Sequence, residues 1–307
     1  MSVCSCDYSL QNTGLPNCNY VIKYAKDAIL VPMRDAAGAA NKIASGAVIN
    51  DSYVTGKFND TDKTQRWYLL KDIKNANMGT PAEPVYQTFD DGSKIKIQNG
   101  VTSASFIFAA SSPTFLSKLE SFECEQMGIL FVDKGGKLVG ISDGTGDMYP
   151  TEIAKNSLTS IPTYGTPTGT YFITTSFDWD LAVEHSTVAT YSNTVNWNSP
   201  TITSLLDVEG EIYAAVTTTG MTLDLFAQYG DLNSPIEVEG LLLADFTLYN
   251  VTDSASITIT SVTESSTVAG RYVFVFPAQT SADVLRLSGL KTGYDLTPLE
   301  SLALVVA

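Results

Sequence analysis

Short alternating apolar stretches separated by turn residues recur from residue 84 onward and predict β-strands. The segment VYQTFDDGSKIKI predicts a hairpin, because an Asp-Gly pair between two alternating stretches is a strong signal for a tight turn. A second hairpin is predicted at residues 127–141, around Gly135-Gly136, which tolerate positive φ. Further strands are predicted at 102–109, 149–153, 158–162 and 171–179.

One helix is predicted among these strands. Ser112 suits the N-cap and Pro113 the first turn. Apolar residues that share one helical face then follow, at Phe115, Leu116, Leu119 and Phe122. The helix is expected to end near Glu123, and strands with one flanking helix predict an α+β or β-sandwich domain.

The chain is expected to divide near residue 190. Residues 186–204 are polar and nearly uncharged, which is typical of a linker, so we predict a domain at 1–190, a linker at 191–205 and a domain at 206–307. Strands in the last part are predicted at 211–217, 222–228, 245–250, 256–263, 271–276, 283–288 and 301–306. Seven short strands over about 100 residues are typical of an immunoglobulin-like sandwich. This part has no cysteine for the disulfide of antibody domains.

The first 80 residues lack clear periodicity, although residues 20–24 and 28–32 predict short strands. Residues 33–65 are rich in Gly, Ala, Asn and Asp and poor in large apolar side chains. Such a long loop is uncommon inside a compact domain unless it has a function of its own. We therefore predict that residues 33–65 form an arm that becomes ordered against a neighbouring copy.

The net negative charge of the chain limits its possible partners. The net charge is −15, and residues 200–307 contribute −10 of it from 3 basic and 13 acidic residues. Such a surface repels nucleic acid and anionic lipid. No apolar run approaches the roughly 20 residues that span a bilayer. The start, MSVCSCDYSL, lacks the features of a secretory signal, so we expect synthesis in a cytoplasm and no membrane partner.

Two acidic motifs are candidates for chemistry. Asp178 and Asp180 flank Trp179 as the paired carboxylates of a glycosidase would, although two carboxylates two residues apart on a strand more often share a solvated face. The run from Asp143 to Asp147 has oxygen ligands at alternate positions, as in a calcium loop. It lacks the bidentate Glu expected at position twelve, which favours a turn.

The remaining reactive side chains give weaker signals. His185 is the only histidine, and its position at the edge of the linker favours exposure over a role as a general base. The cysteines, Cys4, Cys6, Cys18 and Cys124, lack zinc-site spacing and are expected to be reduced thiols buried at a subunit contact. Nucleotide-binding glycine motifs are absent. We predict no catalytic, cofactor-binding or metal-binding residues, no cofactor and no enzymatic activity.

The layout of residues 84–180 resembles the tail tube (major tail) proteins of tailed bacteriophages, including phages that infect Bacteroidota. The resemblance rests on the hairpin VYQTFDDGSKIKI, the strand TSASFIFA, the helix PTFLSKLESF, the hairpin MGILFVDKGGKLVGI, the acidic turn DGTGDMYP and the strand TYFITTSFDWD. The C-terminal segments DFTLYNVTDSASITITSVTES and GRYVFVFPAQTS resemble an immunoglobulin-like module appended to virion proteins. Residues 1–80 depart most from this pattern.

The resemblance implies a tail-tube-like β-sandwich or barrel followed by an immunoglobulin-like sandwich. It further implies homo-oligomeric rings, commonly hexameric, that stack into the tube of a virion tail and contact other tail proteins. DNA would pass through the tube without sequence-specific binding, and the C-terminal domain would lie outside. The alternatives are a ring or terminator component of the tail, a capsid decoration protein, an adhesin or pilus-type subunit and, last, a polysaccharide-degrading enzyme.

Overall fold

The structure is a computed structural model that describes residues 22–109, 112–166, 169–191, 204–227 and 235–307. These residues form several β-sheets and two α-helices, so the predicted mainly-β fold is confirmed. No sheet closes into a barrel within these ranges, and the architecture is that of sandwiches. Neither helix in the described ranges has the length and apolarity needed to span a membrane.

The described part of the N-terminal unit ends at Tyr191 and contains the helices α1 (Asp51–Phe58) and α2 (Pro113–Glu120). Its described strands are β1 (Ala25–Pro32), β2 (Tyr68–Leu70), β3 (Lys74–Pro81), β4 (Val85–Thr88), β5 (Lys94–Gln98), β6 (Thr102–Ala109), β7 (Met127–Asp133), β8 (Leu138–Ser142), β9 (Met148–Tyr149), β10 (Thr151–Glu152), β11 (Thr159–Thr163), β12 (Phe172–Asp178) and β13 (Val188–Thr190). A short 3₁₀ turn, His185–Thr187, precedes β13.

Two sheets of this unit face each other across a hydrophobic core. The first has the order β13-β8-β7-β1-β2, with β9 beside β8 and β10 beside β7, and the second has the order β11-β12-β6-β3. Phe106 and Phe177 of the second sheet meet Phe131 of the first in this core. Helix α2 covers it as well, through Phe115, Leu116 and Leu119. The predicted cap is present, because the Ser112 hydroxyl accepts a hydrogen bond from the Phe115 amide at 3.3 Å.

The prediction that residues 33–65 form an arm is wrong. This segment contains α1 and packs on the second face of the first sheet, where Ile43, Ile49, Val54 and Phe58 are at most 1% exposed. The Asn50 side chain caps the helix by accepting from the Tyr53 amide at 2.9 Å. The prediction failed because the buried apolar residues of this segment pack together on one sheet face, which a count of apolar residues does not reveal. Among its described residues the unit also has two helices where one was predicted.

The C-terminal unit has a second, separate hydrophobic core. Its described strands are β14 (Leu206–Asp207), β15 (Glu209–Thr217), β16 (Gly220–Ala227), β17 (Ile236–Glu237), β18 (Phe246–Asn250), β19 (Ala255–Ile257), β20 (Ser261–Glu264), β21 (Arg271–Val275), β22 (Val284–Lys291), β23 (Tyr294–Asp295) and β24 (Leu304–Val305). Short 3₁₀ turns lie at Leu243–Asp245 and Thr297–Ser301.

The strand order of this unit is immunoglobulin-like. One sheet has the order β15-β16-β21-β20, and in the other β24 and β18 both pair with β22 while β19 pairs with β18. Lettered along the chain, these contain the sheets ABED and GFC. The additional strands are β17, beside β16 in the first sheet, and β19, β23 and β14 in the second. Tyr272 lies in the core, where burial raises its pKa to about 12 and its hydroxyl donates to the Val238 carbonyl at 2.9 Å.

Two predicted strands of this unit need correction. The strand predicted at 256–263 is divided into β19 and β20, which belong to opposite sheets, so the chain crosses the sandwich at 258–260. Of the strand predicted at 301–306, only Leu304–Val305 is a strand, and Ser301 is the last residue of a 3₁₀ turn. In both cases the apolar pattern indicated that the side chains are buried. Such a pattern does not indicate which sheet, if any, the backbone joins.

Polar contacts join the two units. Arg66 donates to the Asp295 carboxylate at 2.7 Å, and both side chains are less than 10% exposed. Asn59 accepts from the Gly293 amide at 2.8 Å, and Lys118 pairs with Asp207. The predicted linker at 191–205 lies largely outside the described residues, but Tyr191 is buried in the N-terminal unit. The C-terminal unit is therefore seated on the N-terminal one at this junction.

Candidate assembly surface

Strands β4 and β5 form a hairpin that stands apart from both sheets, since within the described residues they pair only with each other. Its turn is built as the sequence predicts. Gly92 adopts φ +82° and donates to the Phe89 carbonyl at 2.9 Å. Asp91 accepts from the hydroxyl and the amide of Ser93, at 2.6 and 2.8 Å, and these bonds hold the pKa of Asp91 below its usual range. The tip is thus locally fixed.

The base of the hairpin is a close backbone crossing. The Ala82 amide donates to the Val101 carbonyl at 2.8 Å. A Cβ at position 100 would come within 1.9 Å of the Ala82 carbonyl oxygen, so only glycine fits where the strands meet. A hollow of about 490 Å³ lies beside this crossing, lined in part by Lys96, Trp179 and His185. The hairpin therefore projects from a defined root.

The hairpin exposes a large apolar surface. Every residue of β4 and β5 is exposed. The apolar and aromatic ones are Val85 at 52%, Tyr86 at 51%, Phe89 at 41%, Ile95 at 59% and Ile97 at 63%. An isolated two-stranded hairpin is at best marginally stable in water, and a contiguous exposed apolar patch usually marks an interaction site.

The two faces of the hairpin differ in chemistry. The register places Tyr86 opposite Lys96 and Thr88 opposite Lys94, so one face carries two cations. Gln87 lies opposite Ile95 on the other face, which carries no charged strand residue. Ile97 lies at the register shift between the pairs Val85–Gln98 and Tyr86–Lys96 and is 63% exposed. The alternation of Lys94 to Ile97 predicts a face that another element must cover, and no described part of this chain covers it.

The second sheet has two further features that bear on assembly. Its outermost strands, β11 and β3, each have one side without a strand neighbour within the described ranges. Its outer face carries mostly hydroxyl and apolar groups, for example Thr174 between Ile161 and Ile107, and Ser176 between Thr159 and Ser105. The charged residues of this face are Lys74 and Asp178. Free edges of a sheet are templates for pairing with another chain.

Asp178 and Asp180 do not form a shared carboxylate site. Strand β12 ends at Asp178, whose carboxylate accepts from the Ser103 hydroxyl at 2.6 Å. Asp180 lies beyond the strand and accepts from the Ala182 amide at 2.8 Å, which closes a turn. Each carboxylate thus has a structural partner.

The acidic run at 143–147 is built as a turn. Asp143 accepts from the hydroxyl and amide of Thr145 at 2.7 and 2.8 Å, and these bonds lower its pKa. Asp147 pairs with Lys42 at 2.6 Å and accepts from the Ser45 amide at 2.7 Å, which lowers its pKa too. Asp147 therefore fastens the segment before α1 to the first sheet. In the described ranges, no group of three or more His, Cys, Asp or Glu side chains is arranged to hold a metal.

His185 is exposed, as expected, and belongs to the root of the hairpin. Its Nε2 lies 2.8 Å from the Thr102 hydroxyl, and its ring stacks on Trp179 with centroids 5.1 Å apart. Cys124 is exposed and free in this chain, while Cys4, Cys6 and Cys18 lie outside the described residues. The sequence identified the hairpin but not its isolation from the sheets, because strand patterns do not say where a strand pairs.

No protein-family model, curated protein or solved structure matches this chain.

Proposed function

We propose that this protein is a structural subunit of a virion tail that self-assembles into stacked rings through its N-terminal unit. The observation that carries the proposal is the isolated hairpin, which exposes Ile95 and Ile97 with no cover from the described part of its own chain. The free edges of β3 and β11 support it, because closure into a ring pairs edges that a single copy leaves open.

The tail assignment within this proposal is supported by chain layout and by charge. The order of hairpin, strand, helix and hairpin is that of the resemblance to tail tube proteins. The outer face of the second sheet, with Lys74 as its one cation among described residues, suits the lining of a DNA channel, because phosphates bind strongly to clustered Lys and Arg. The C-terminal unit, at −10, suits an exterior position, where like charges keep particles apart.

The experiment is electron microscopy and analytical ultracentrifugation of the purified protein over a concentration series. Wild type is expected to form rings or tubes. The exposed double variant Ile95→Ser, Ile97→Ser is expected to remain monomeric with an unchanged melting temperature. A matched control is Val273→Ser, Val275→Ser, where two exposed valines of the C-terminal unit are replaced and assembly should persist.

Wild type that stays monomeric at every concentration overturns the proposal. Binding of such monomers to glycans or cells would favour the adhesin alternative instead. A hairpin variant that assembles as well as wild type would show that the hairpin is not the assembly surface.

A further inference from the structure

A cleft of about 300 Å³ lies at the junction of the two units. Its apolar wall is aromatic, because the Tyr68 ring meets Phe122 edge-to-face at 4.8 Å and Phe115 and Leu119 of α2 line the same wall. Pockets at domain junctions are common ligand sites, and this volume is at the lower end of their range. Its size suits one side chain better than an extended ligand.

The residues that line the cleft include more cations than carboxylates, although the whole chain is strongly negative. Three cations line it, namely Lys63, Arg66 and Lys118, against two carboxylates, Asp207 and Asp295. The local charge is therefore +1 in a chain of −15. The side chain of Lys63 is 59% exposed, so it presents its charge at the entrance. An aromatic group next to a carboxylate would complement such a cleft.

The hairpin tip has this chemistry. Phe89 is 41% exposed and is followed directly by Asp90 and Asp91, which are also exposed. The hydrogen bonds of Asp91 to Ser93 and of Gly92 to Phe89 fix the turn before any partner binds. Such preorganisation reduces the entropy lost on binding, and buried aromatic anchors contribute most of the energy of many interfaces.

We propose that the hairpin tip of one copy inserts into the junction cleft of a second copy, with Phe89 against Tyr68 and Phe122 and Asp90 beside Lys63. The inference rests on the proposed self-assembly and specifies its contact. The occupant comes from another copy because the tip of this chain is exposed and not in its own cleft. A plug and a socket on different surfaces make a head-to-tail contact, which generates rings when the rotation closes.

Site-specific photo-crosslinking tests the contact directly. A benzophenone amino acid replaces Phe89 in full-length protein, and isotope-labelled and unlabelled copies are mixed before assembly and irradiation. The expected product joins position 89 of one copy to residues 66–70 or 115–122 of another. Crosslinks between copies at any other surface would overturn this inference and leave self-assembly standing. Absence of any oligomer in wild type would overturn the proposed function itself.

A charge swap provides an independent test. Asp90→Lys and Lys63→Glu are each expected to weaken assembly by about tenfold or more, and their combination should restore it to within about threefold of wild type. The controls are Glu300→Lys and Lys155→Glu, at exposed positions outside the tip and the cleft. An unchanged melting temperature of the Lys63→Glu subunit verifies that the junction is intact. Failure of the double variant to recover would overturn the pairing of tip and cleft.

Discussion

Two segments of the N-terminal unit contradict the simple rule that apolar content decides burial. Residues 33–65 have few large apolar side chains, yet four of them, Ile43, Ile49, Val54 and Phe58, are almost completely buried. The hairpin from 85 to 98 is richer in apolar side chains, yet all of its strand residues are exposed. The difference lies in what each segment faces.

Residues 33–65, called the sparse segment below, pack against a sheet whose second face is also apolar. Strand β7 is buried along its whole length, so both of its faces are removed from water. Sheet β11-β12-β6-β3 and α2 cover one face, and residues 43–58 cover the other. The hairpin has no such sheet beside it. A segment is buried when it packs against an apolar sheet face, and its own apolar content does not decide this.

The largest expected effect comes from removing the deepest contact of the sparse segment. Phe58→Ala should lower the free energy of unfolding by about 3–5 kcal/mol, because it leaves a cavity beside Trp67. Phe89→Ala is the matched control in the hairpin and should change it by less than about 0.5 kcal/mol. Urea unfolding monitored by tryptophan fluorescence measures both. Equal small effects would mean that residues 33–65 do not belong to the core.

The same comparison explains which parts of the fold were predictable. The hairpin turn, the cap of α2 and the strand at 102–109 depend on neighbouring residues, and the sequence predicts each of them correctly. Strand β3, with the sequence KNANMGTP, was missed because its polar residues, glycine and proline have low strand propensity. It forms because pairing with β6 overrides that preference.

Other features depend on contacts between distant residues. The continuous apolar run of β7 was a signal that both of its faces would be covered, but it does not indicate which segment covers each face. Arg66 and Asp295 are 229 residues apart, and nothing local marks them as partners. The sequence therefore identifies the hairpin of the candidate site. It does not identify the cleft, because residues of both units line it.

Arg66 directly follows the sparse segment and contacts Asp295 of the C-terminal unit, and this contact gives the second prediction. Arg66→Ala leaves the Asp295 carboxylate buried without its cation and should cost about 3 kcal/mol. Lys63→Ala, whose Nζ lies 4.0 Å from the same carboxylate on an exposed side chain, should cost less than about 1 kcal/mol. Calorimetry and limited proteolysis at the junction compare the two variants. Equal costs would show that the buried pair does not hold the units together.

The third prediction concerns acid. Burial raises the pKa of Asp295, but hydrogen bonds from Thr297 and Arg66 outweigh it, and the net pKa is lowered. Its stabilisation is therefore complete above the unfolded value of about 3.9 and is lost as the pH falls from there toward the folded value. The difference in melting temperature between wild type and Asp295→Asn should shrink below about pH 4. A difference that stays constant from about pH 6 to pH 3 would contradict this assignment.

The fourth prediction is that assembly leaves residues 43–58 unchanged and alters the hairpin. Residues 43–58 already have their buried contacts in a single copy, so assembly should leave their amide hydrogen exchange unchanged. The hairpin has its apolar side chains in water, so the amides of 85–98 should gain protection when copies associate. Exchange measured by mass spectrometry on monomers and on assembled material compares both segments in one sample, with the core strand β7 as an internal reference. New protection across 43–58 with none across 85–98 would reverse the roles of the two segments, and the assembly surface would then have to be sought in the segment before β2.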